Sequence, residues 1–253
     1  MLKYKDKSRL DIYNSLIEPH IQLLNAELKR DRKKIVELCH VGKFLMLYGS
    51  NLKIETLFEE PDFIIKNNDT LIGLEHQIII NEKEKCNEGM IETLFEQIEI
   101  EFQKQKLFPN ILINCWLNSN YYIRINEKEN LKNEIKKIIE TYVTKGFLMK
   151  HPLFNDISSM PHSQININAN FGCWWQARIT EKLVLNAISK KEKKLKEYRK
   201  NTDANIAQWL LLVINTSGKS SYSILENLEV NVASDFDKIF ILEDLNTSLY
   251  EVK

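Results

Sequence analysis

An α/β domain with a mixed central β-sheet flanked by helices is the fold that three observations predict. Short β-branched or apolar runs alternate along the chain with amphipathic segments of helical period. The 253 residues are 43% hydrophobic and 28% charged, enough to build a sizeable core. Only 7 Gly and 5 Pro occur, with no repeat and no linker, so one domain is expected to span residues 1–253.

Residues 10–47 read as helix in two pieces broken near Pro19, with Ile21, Leu24, Leu28, Ile35 and Leu38 at helical spacing. Asp62-Phe-Ile-Ile-Lys, the turn Asn67-Asn-Asp and the β-branched stretch 71–80 read as two antiparallel strands joined tightly. Residues 88–106 return to helical period, with Ile91, Leu94, Phe95, Ile98 and Phe102 on one face, and Asn110-Ile-Leu-Ile-Asn-Cys-Trp follows as a buried strand. Residues 127–145 form an amphipathic helix ended by Gly146. The segment 147–173, with Pro152, Pro161 and Gly172, reads mostly as loop, with Gln164-Ile-Asn-Ile-Asn alternating as a strand. Residues 174–200 read as one long helix, and 209–215 and 236–242 as buried strands.

Charge and motifs exclude several classes. The 35 Lys+Arg balance 35 Asp+Glu, which argues against non-specific coating of nucleic acid while allowing local basic patches. The opening Met1-Leu-Lys-Tyr-Lys-Asp-Lys carries no apolar run, so no secretory signal is expected. The longest apolar run, 209–214, is far short of the roughly 20 residues that span a bilayer, so no membrane partner is expected. Cys39, Cys86, Cys115 and Cys173 lie far apart, without zinc-finger spacing, and a reducing cytoplasm is the expected location. Neither a dinucleotide-binding glycine fingerprint, a P-loop nor a Gly-x-Ser-x-Gly elbow is present.

The chemistry concentrates on the two adjacent strands. Glu60-Pro61-Asp62 opens the first, and Ile72-Gly-Leu-Glu75-His76-Gln77 lies within the second. Strand side chains alternate, so Glu75 and Gln77 share a face and His76 points away. Asp62 lies across the hairpin from that face. Two carboxylates on neighbouring strands offer oxygen ligands to a divalent cation, which can activate water for attack on phosphorus. A Glu in a strand is more often simply solvent-facing. Here Phe63, Ile64, Ile65, Ile72 and Leu74 mark both strands as buried, so an acid among them requires a partner or a metal.

Pro61-Asp62, an interval of 13 residues, then Glu75-His76-Gln77 resembles the PD-(D/E)xK motif of the restriction-endonuclease-like nuclease superfamily. A helix, the hairpin and the helix–strand at 88–116 follow that fold's order, so the resemblance covers about residues 30–120, with 121–253 as helical and strand additions. It implies a restriction-endonuclease-like core and a metal-dependent nuclease acting on DNA. Mg²⁺ or Mn²⁺ would sit on Asp62, Glu75 and the His76 backbone carbonyl, with Glu37 from the preceding helix completing the site and Glu59 or Glu60 as alternatives. A homodimer is compatible with it. One departure matters: the motif's lysine position holds Gln77. Some active relatives accept another polar residue there or move the lysine to another element, and inactive descendants lose it. The rival expectation is accordingly a catalytically inactive nuclease-fold protein that binds nucleic acid or another protein.

A substitute lysine is available. On a wheel turning about 100° per residue, Lys191 falls in the stripe of Ala177, Val184, Ile188 and Leu195, with Tyr198 and Lys194 at its border. A lysine on an apolar stripe snorkels, pairs within the fold, or serves as the migrated lysine. Gln77 or Lys191 would then orient the attacking water. Lys190 and Lys194 are candidate phosphate contacts, and Trp174 and Trp175 candidate stacking surfaces for a base, although paired Trp residues are more often core.

Overall fold

The computed structural model describes residues 7–49, 51–106, 108–171, 176–203, 205–224 and 228–253. Its elements are α1 (Lys7–Ile21), α2 (Lys29–Tyr48), β1 (Leu52–Leu57), β2 (Phe63–Asn67), β3 (Thr70–Ile78), α3 (Glu82–Gln105), β4 (Ile111–Leu117), α4 (Lys128–Lys145), β5 (Phe154–Pro161), β6 (Asn166–Asn170), β7 (Ala177–Arg178), α5 (Glu181–Glu192), α6 (Leu195–Asn201), β8 (Ala207–Ile214), β9 (Tyr222–Ser223), β10 (Lys238–Glu243) and β11 (Ser248–Glu251). The α/β class and a mixed sheet flanked by helices are both present. No helix among the described residues is long and apolar enough to cross a membrane.

These elements fall into two compact units, one of residues 1–80, 177–217 and 221–253, the other of 81–176 and 218–220. The first is built on a six-stranded sheet ordered β1-β2-β3-β8-β10-β11. β1, β2 and β3 pair antiparallel, β3–β8 and β8–β10 pair parallel, and β11 closes the far edge antiparallel. β8 is apolar on both faces, with Trp209 to Ile214 all buried, as a central parallel strand covered on both sides must be. One face packs Ile65, Leu74, Leu211, Val213 and Phe240 against Leu38, Val41, Phe44 and Leu45 of α2. The other packs Leu210, Leu212, Ile214, Ile239 and Ile241 against Val184, Ala187 and Ile188 of α5 and Leu195 and Tyr198 of α6.

The second unit has its own sheet, ordered β5-β4-β6, and its own core of Phe95, Ile98 and Phe102 from α3 with Ile135, Ile138 and Ile139 from α4. The Glu99 carboxylate on α3 accepts the N–H of Ile167 on β6 at 2.7 Å. Buried Asn87 accepts the Ile123 N–H and donates to the Tyr121 carbonyl, both at 2.9 Å, fixing the chain between β4 and α4.

Four expectations are corrected. Pro19 is carried inside α1, and the break between helices falls at 22–28, where Asn25 Oδ1 accepts the Glu27 N–H at 2.9 Å. The long helix expected over 174–200 begins only at Glu181, because the Thr180 hydroxyl caps it and Ala177–Arg178 pair with β9, and it is interrupted at Lys193–Lys194. The expected loop at 147–173 contains β5, an edge strand whose terminal position tolerates Pro161. The helix and strand at 88–116, assigned above to the motif-bearing core, belong to the second unit's sheet. The strand that joins β3 in parallel is β8.

Candidate active site at the β2–β3 hairpin

β2 pairs with β3 only as far as Phe63 opposite Leu74, so Glu75 and His76 extend past the last ladder pair. Asp62, just before β2, fills the vacated edge. Its Oδ2 accepts the backbone N–H of His76 at 2.9 Å, and its own N–H donates to Glu75 Oε2 at 3.2 Å. Each carboxylate therefore holds main chain beside the other. A strand residue's N–H and C=O point to the same side, so the His76 carbonyl also faces this edge.

Two lysines neutralise the two carboxylates, one from each helical layer. Lys191, in the last turn of α5, places its ammonium on Glu75 Oε1. Lys34, in the second turn of α2, holds Asp62 Oδ1 at 3.4 Å and Glu37 Oε2 at 2.8 Å, and lies over the Phe63 ring. Glu37 is thus joined to Asp62 through Lys34, and it also pairs with Lys33 at 3.4 Å. Burial lowers the Lys34 pKa, but the hydrogen bond to Glu37 and the charge of Asp62 outweigh it, leaving the ammonium more firmly protonated than usual. Glu75 shifts the other way. Burial and the nearby Asp62 charge raise its pKa against the opposing pull of Lys191.

Tyr198 stands behind Glu75. Its side chain is fully buried and its hydroxyl makes no hydrogen bond of good geometry, yet it lies close enough for the carboxylate to add to burial in driving its pKa far upward. Gln77 shares Glu75's face, as strand parity requires, and its buried Oε1 is also without a partner. Buried polar atoms are nearly always satisfied. Gln77 Oε1, on the strand face that carries Glu75, can accept from a water.

His76 projects to the opposite face, into α2. Its Nε2 lies 3.1 Å from His40 Nδ1, and the ring planes differ by only 14°. Burial holds His40 below its ordinary pKa and His76 well below. Two neutral imidazoles sharing one N–H···N bond therefore brace the strand from behind.

Of the remaining sequence candidates, Lys194 pairs with Glu60 at 2.8 Å and Lys190 is exposed on α5. Trp174 and Trp175 lie outside the described residues. Lys34 and His40 were not anticipated. Lys34 shares a helical stripe with Leu38, Val41 and Leu45, so the wheel test that singled out Lys191 finds it too. His40 had no separate signal.

Among the described residues, no three His, Cys, Asp or Glu side chains converge as ligands of one ion. The donors nonetheless suit Mg²⁺, a hard cation commonly held by one or two carboxylates with substrate phosphate and water. The ammonium groups of Lys34 and Lys191 sit on the oxygens such an ion would use. Comparison with protein-family models, curated proteins and solved structures returned no match to this chain.

Proposed function

We propose that the Asp62–Glu75 hairpin is the centre of a divalent-metal-dependent phosphodiesterase of the PD-(D/E)xK type, acting on nucleic acid, with DNA as the substrate the resemblance favours. The observation that carries this reading is Lys191 on Glu75. The motif's lysine is missing at position 77, and an ammonium is delivered to the same strand face from α5. The arrangement of elements supports it as well. A helix, α2, precedes the antiparallel β1-β2-β3, and α5 and α6 precede β8, which runs parallel to β3, an order compatible with the resemblance once residues 81–176 are taken as an insertion.

Asp62, Glu75 and the His76 carbonyl would hold Mg²⁺, which when bound neutralises charge at the scissile phosphate and acidifies a bound water. Lys191, released from Glu75, orients the attacking water and stabilises charge developing on phosphorus. Tyr198 and Gln77 supply polar atoms that keep that water in line. Lys34 and Glu37 hold Asp62 at the edge of β3. Asp62→Ala and Glu75→Ala should each abolish Mg²⁺-dependent nicking of a plasmid and weaken Mn²⁺ binding measured by calorimetry at least tenfold. Wild-type Mn²⁺ affinity in both variants would refute the assignment.

The satisfied state of the carboxylates favours one alternative. Each already holds an ammonium and a main-chain N–H, which is how an inactive descendant would stabilise an acidic pair. Such a protein would bind nucleic acid or another protein, and would bind Mn²⁺ no better than an ordinary surface.

A further inference from the structure

A cleft of about 550 Å³ opens beside the acidic pair, between the α1–α2 connection, the β1–β2 turn and the end of α6. Lys34 belongs to both places, since it lines the cleft and its ammonium bonds Asp62. Phe58 is also tied to the site, its N–H donating to the Asp62 carbonyl at 3.0 Å. Phe58 is 36% exposed and forms the cleft wall with Leu24 and Leu57. Arg30 stands at the mouth, its side chain 85% exposed and its Nε on Asp31 Oδ1 at 3.2 Å, which leaves the outer guanidinium nitrogens to a ligand.

This lining selects a ligand. An open aromatic ring beside two aliphatic side chains suits a flat base, and every base offers a face for stacking. Lys34 and Arg30 suit the attached phosphates. Of the three acids in the wall, Asp31 is held by Arg30 and the Asn25 N–H and Glu60 by Lys194, while Glu59 can accept a hydrogen bond from a base's N–H groups. A paired base has both faces covered by its neighbours and cannot enter a pocket of this volume.

We propose that this cleft binds one unpaired nucleotide next to the scissile phosphate, its base against Phe58 and its phosphate against Lys34. The inference rests on the phosphodiesterase reading and narrows the substrate to single-stranded or locally unpaired strands. It also makes Lys34 a substrate contact once it is released from Asp62.

The test is fluorescence anisotropy in EDTA, where no turnover occurs, with a short labelled oligodeoxythymidylate and its duplex with oligodeoxyadenylate. Wild type should bind the single strand at least tenfold more tightly than the duplex. Phe58→Ala should weaken single-strand binding about tenfold or more, Phe58→Trp should retain it, and duplex binding should be unchanged. Lys34→Met should reduce the salt dependence of single-strand binding by close to one contact, while Lys34→Arg, which preserves the charge and its anchoring of Glu37, should not. Single-strand binding indifferent to Phe58, or duplex bound as tightly as single strand, overturns the cleft assignment. Cleavage of the same labelled single strand in Mg²⁺ is scored separately. A chain that cleaves but ignores Phe58 defeats only this inference, and one that binds through Phe58 without cleaving defeats the phosphodiesterase reading and leaves the cleft a site for an unpaired nucleotide.

Discussion

Lys191→Met isolates the ion pair at the centre of the site. The Met side chain fills much of the space of the lysine stem and deletes the ammonium. Glu75's side chain is 5% exposed and that of Lys191 23%, so the pair lies mostly out of water. Removing one member of a buried pair costs about 3–5 kcal/mol. The residual exposure of Lys191, and the Asp62 N–H that Glu75 keeps, put the loss in this variant at about 3 kcal/mol at neutral pH. The loss carries a pH signature. Burial and Asp62 already hold the folded Glu75 above its ordinary 4.5, and losing Lys191 raises it further. A carboxyl raised by folding binds more protons folded than unfolded between those two values. Its contribution therefore favours folding at low pH and is lost as pH rises through the folded pKa. The deficit of Lys191→Met relative to wild type is then full at neutral pH and shrinks on acidification toward 4.5. Urea denaturation of both proteins at neutral and mildly acidic pH reads this directly. Adding Glu75→Gln to Lys191→Met removes the stranded charge and should restore most of the loss. A deficit equal at both pH values, or a double variant no more stable than the single one, would show that the pair is not what Lys191 contributes. Plasmid nicking should fall about 10²–10³-fold in Lys191→Met, whereas Lys182→Met, at an exposed position of α5, should leave it within a few-fold.

Gly73→Ala should destabilise by about 1–3 kcal/mol. Its new methyl would lie 2.3 Å from Gln208 Oε1, and Gln208 is buried and tied to Thr202 at 3.0 Å, so the double variant with Gln208→Ala should recover in urea melts. The His40–His76 pair predicts acid sensitivity. Both imidazoles are held neutral below their ordinary 6.5, so the unfolded chain binds protons that the folded one refuses, and stability falls as pH drops through 6.5. The loss approaches about 1.4 kcal/mol per pH unit for each group. An unchanged acid slope in His76→Gln would rule the pair out as its source.

Much of the sheet was legible because its signals are local. The turn at Asn67–Asp69 sets the β2–β3 register, and that register makes strand parity at Glu75, His76 and Gln77 reliable. Unbroken apolar character marks β8 as buried, and its place at the centre of the sheet comes from the structure. β1 went unread because its Leu52-Lys-Ile-Glu-Thr-Leu pattern covers only six residues at a sheet edge. The helix–strand partner of the hairpin was misassigned for a different reason. Residues 88–116 supply a helix and a strand at the expected place in the order, and no composition change marks the insertion. Lys191 was found by a helical wheel although the helix is broken, since the break falls only at Lys193–Lys194, after the residue in question.

The insertion also separates in time what the sheet brings together in space. β3 and β8 are parallel neighbours, yet the 128 residues from 79 to 206 lie between them. Closing so long an unfolded loop costs about 4 kcal/mol of chain entropy, against about 3 kcal/mol if only residues 177–206 remain to be closed. Prior folding of the second unit would provide that shortening, and once β8 is in place the stretch just after it secures both ends of the unit's main segment, Asn81 N–H bonding the Ser220 carbonyl at 2.7 Å and Gln176 Nε2 the Gly218 carbonyl at 3.2 Å. During synthesis Asp62 and Glu75 emerge more than a hundred residues before Lys191 and Tyr198. Asp62 has Lys34 from the start, so Glu75 alone waits uncompensated until α5 brings Lys191, just before β8 joins β3.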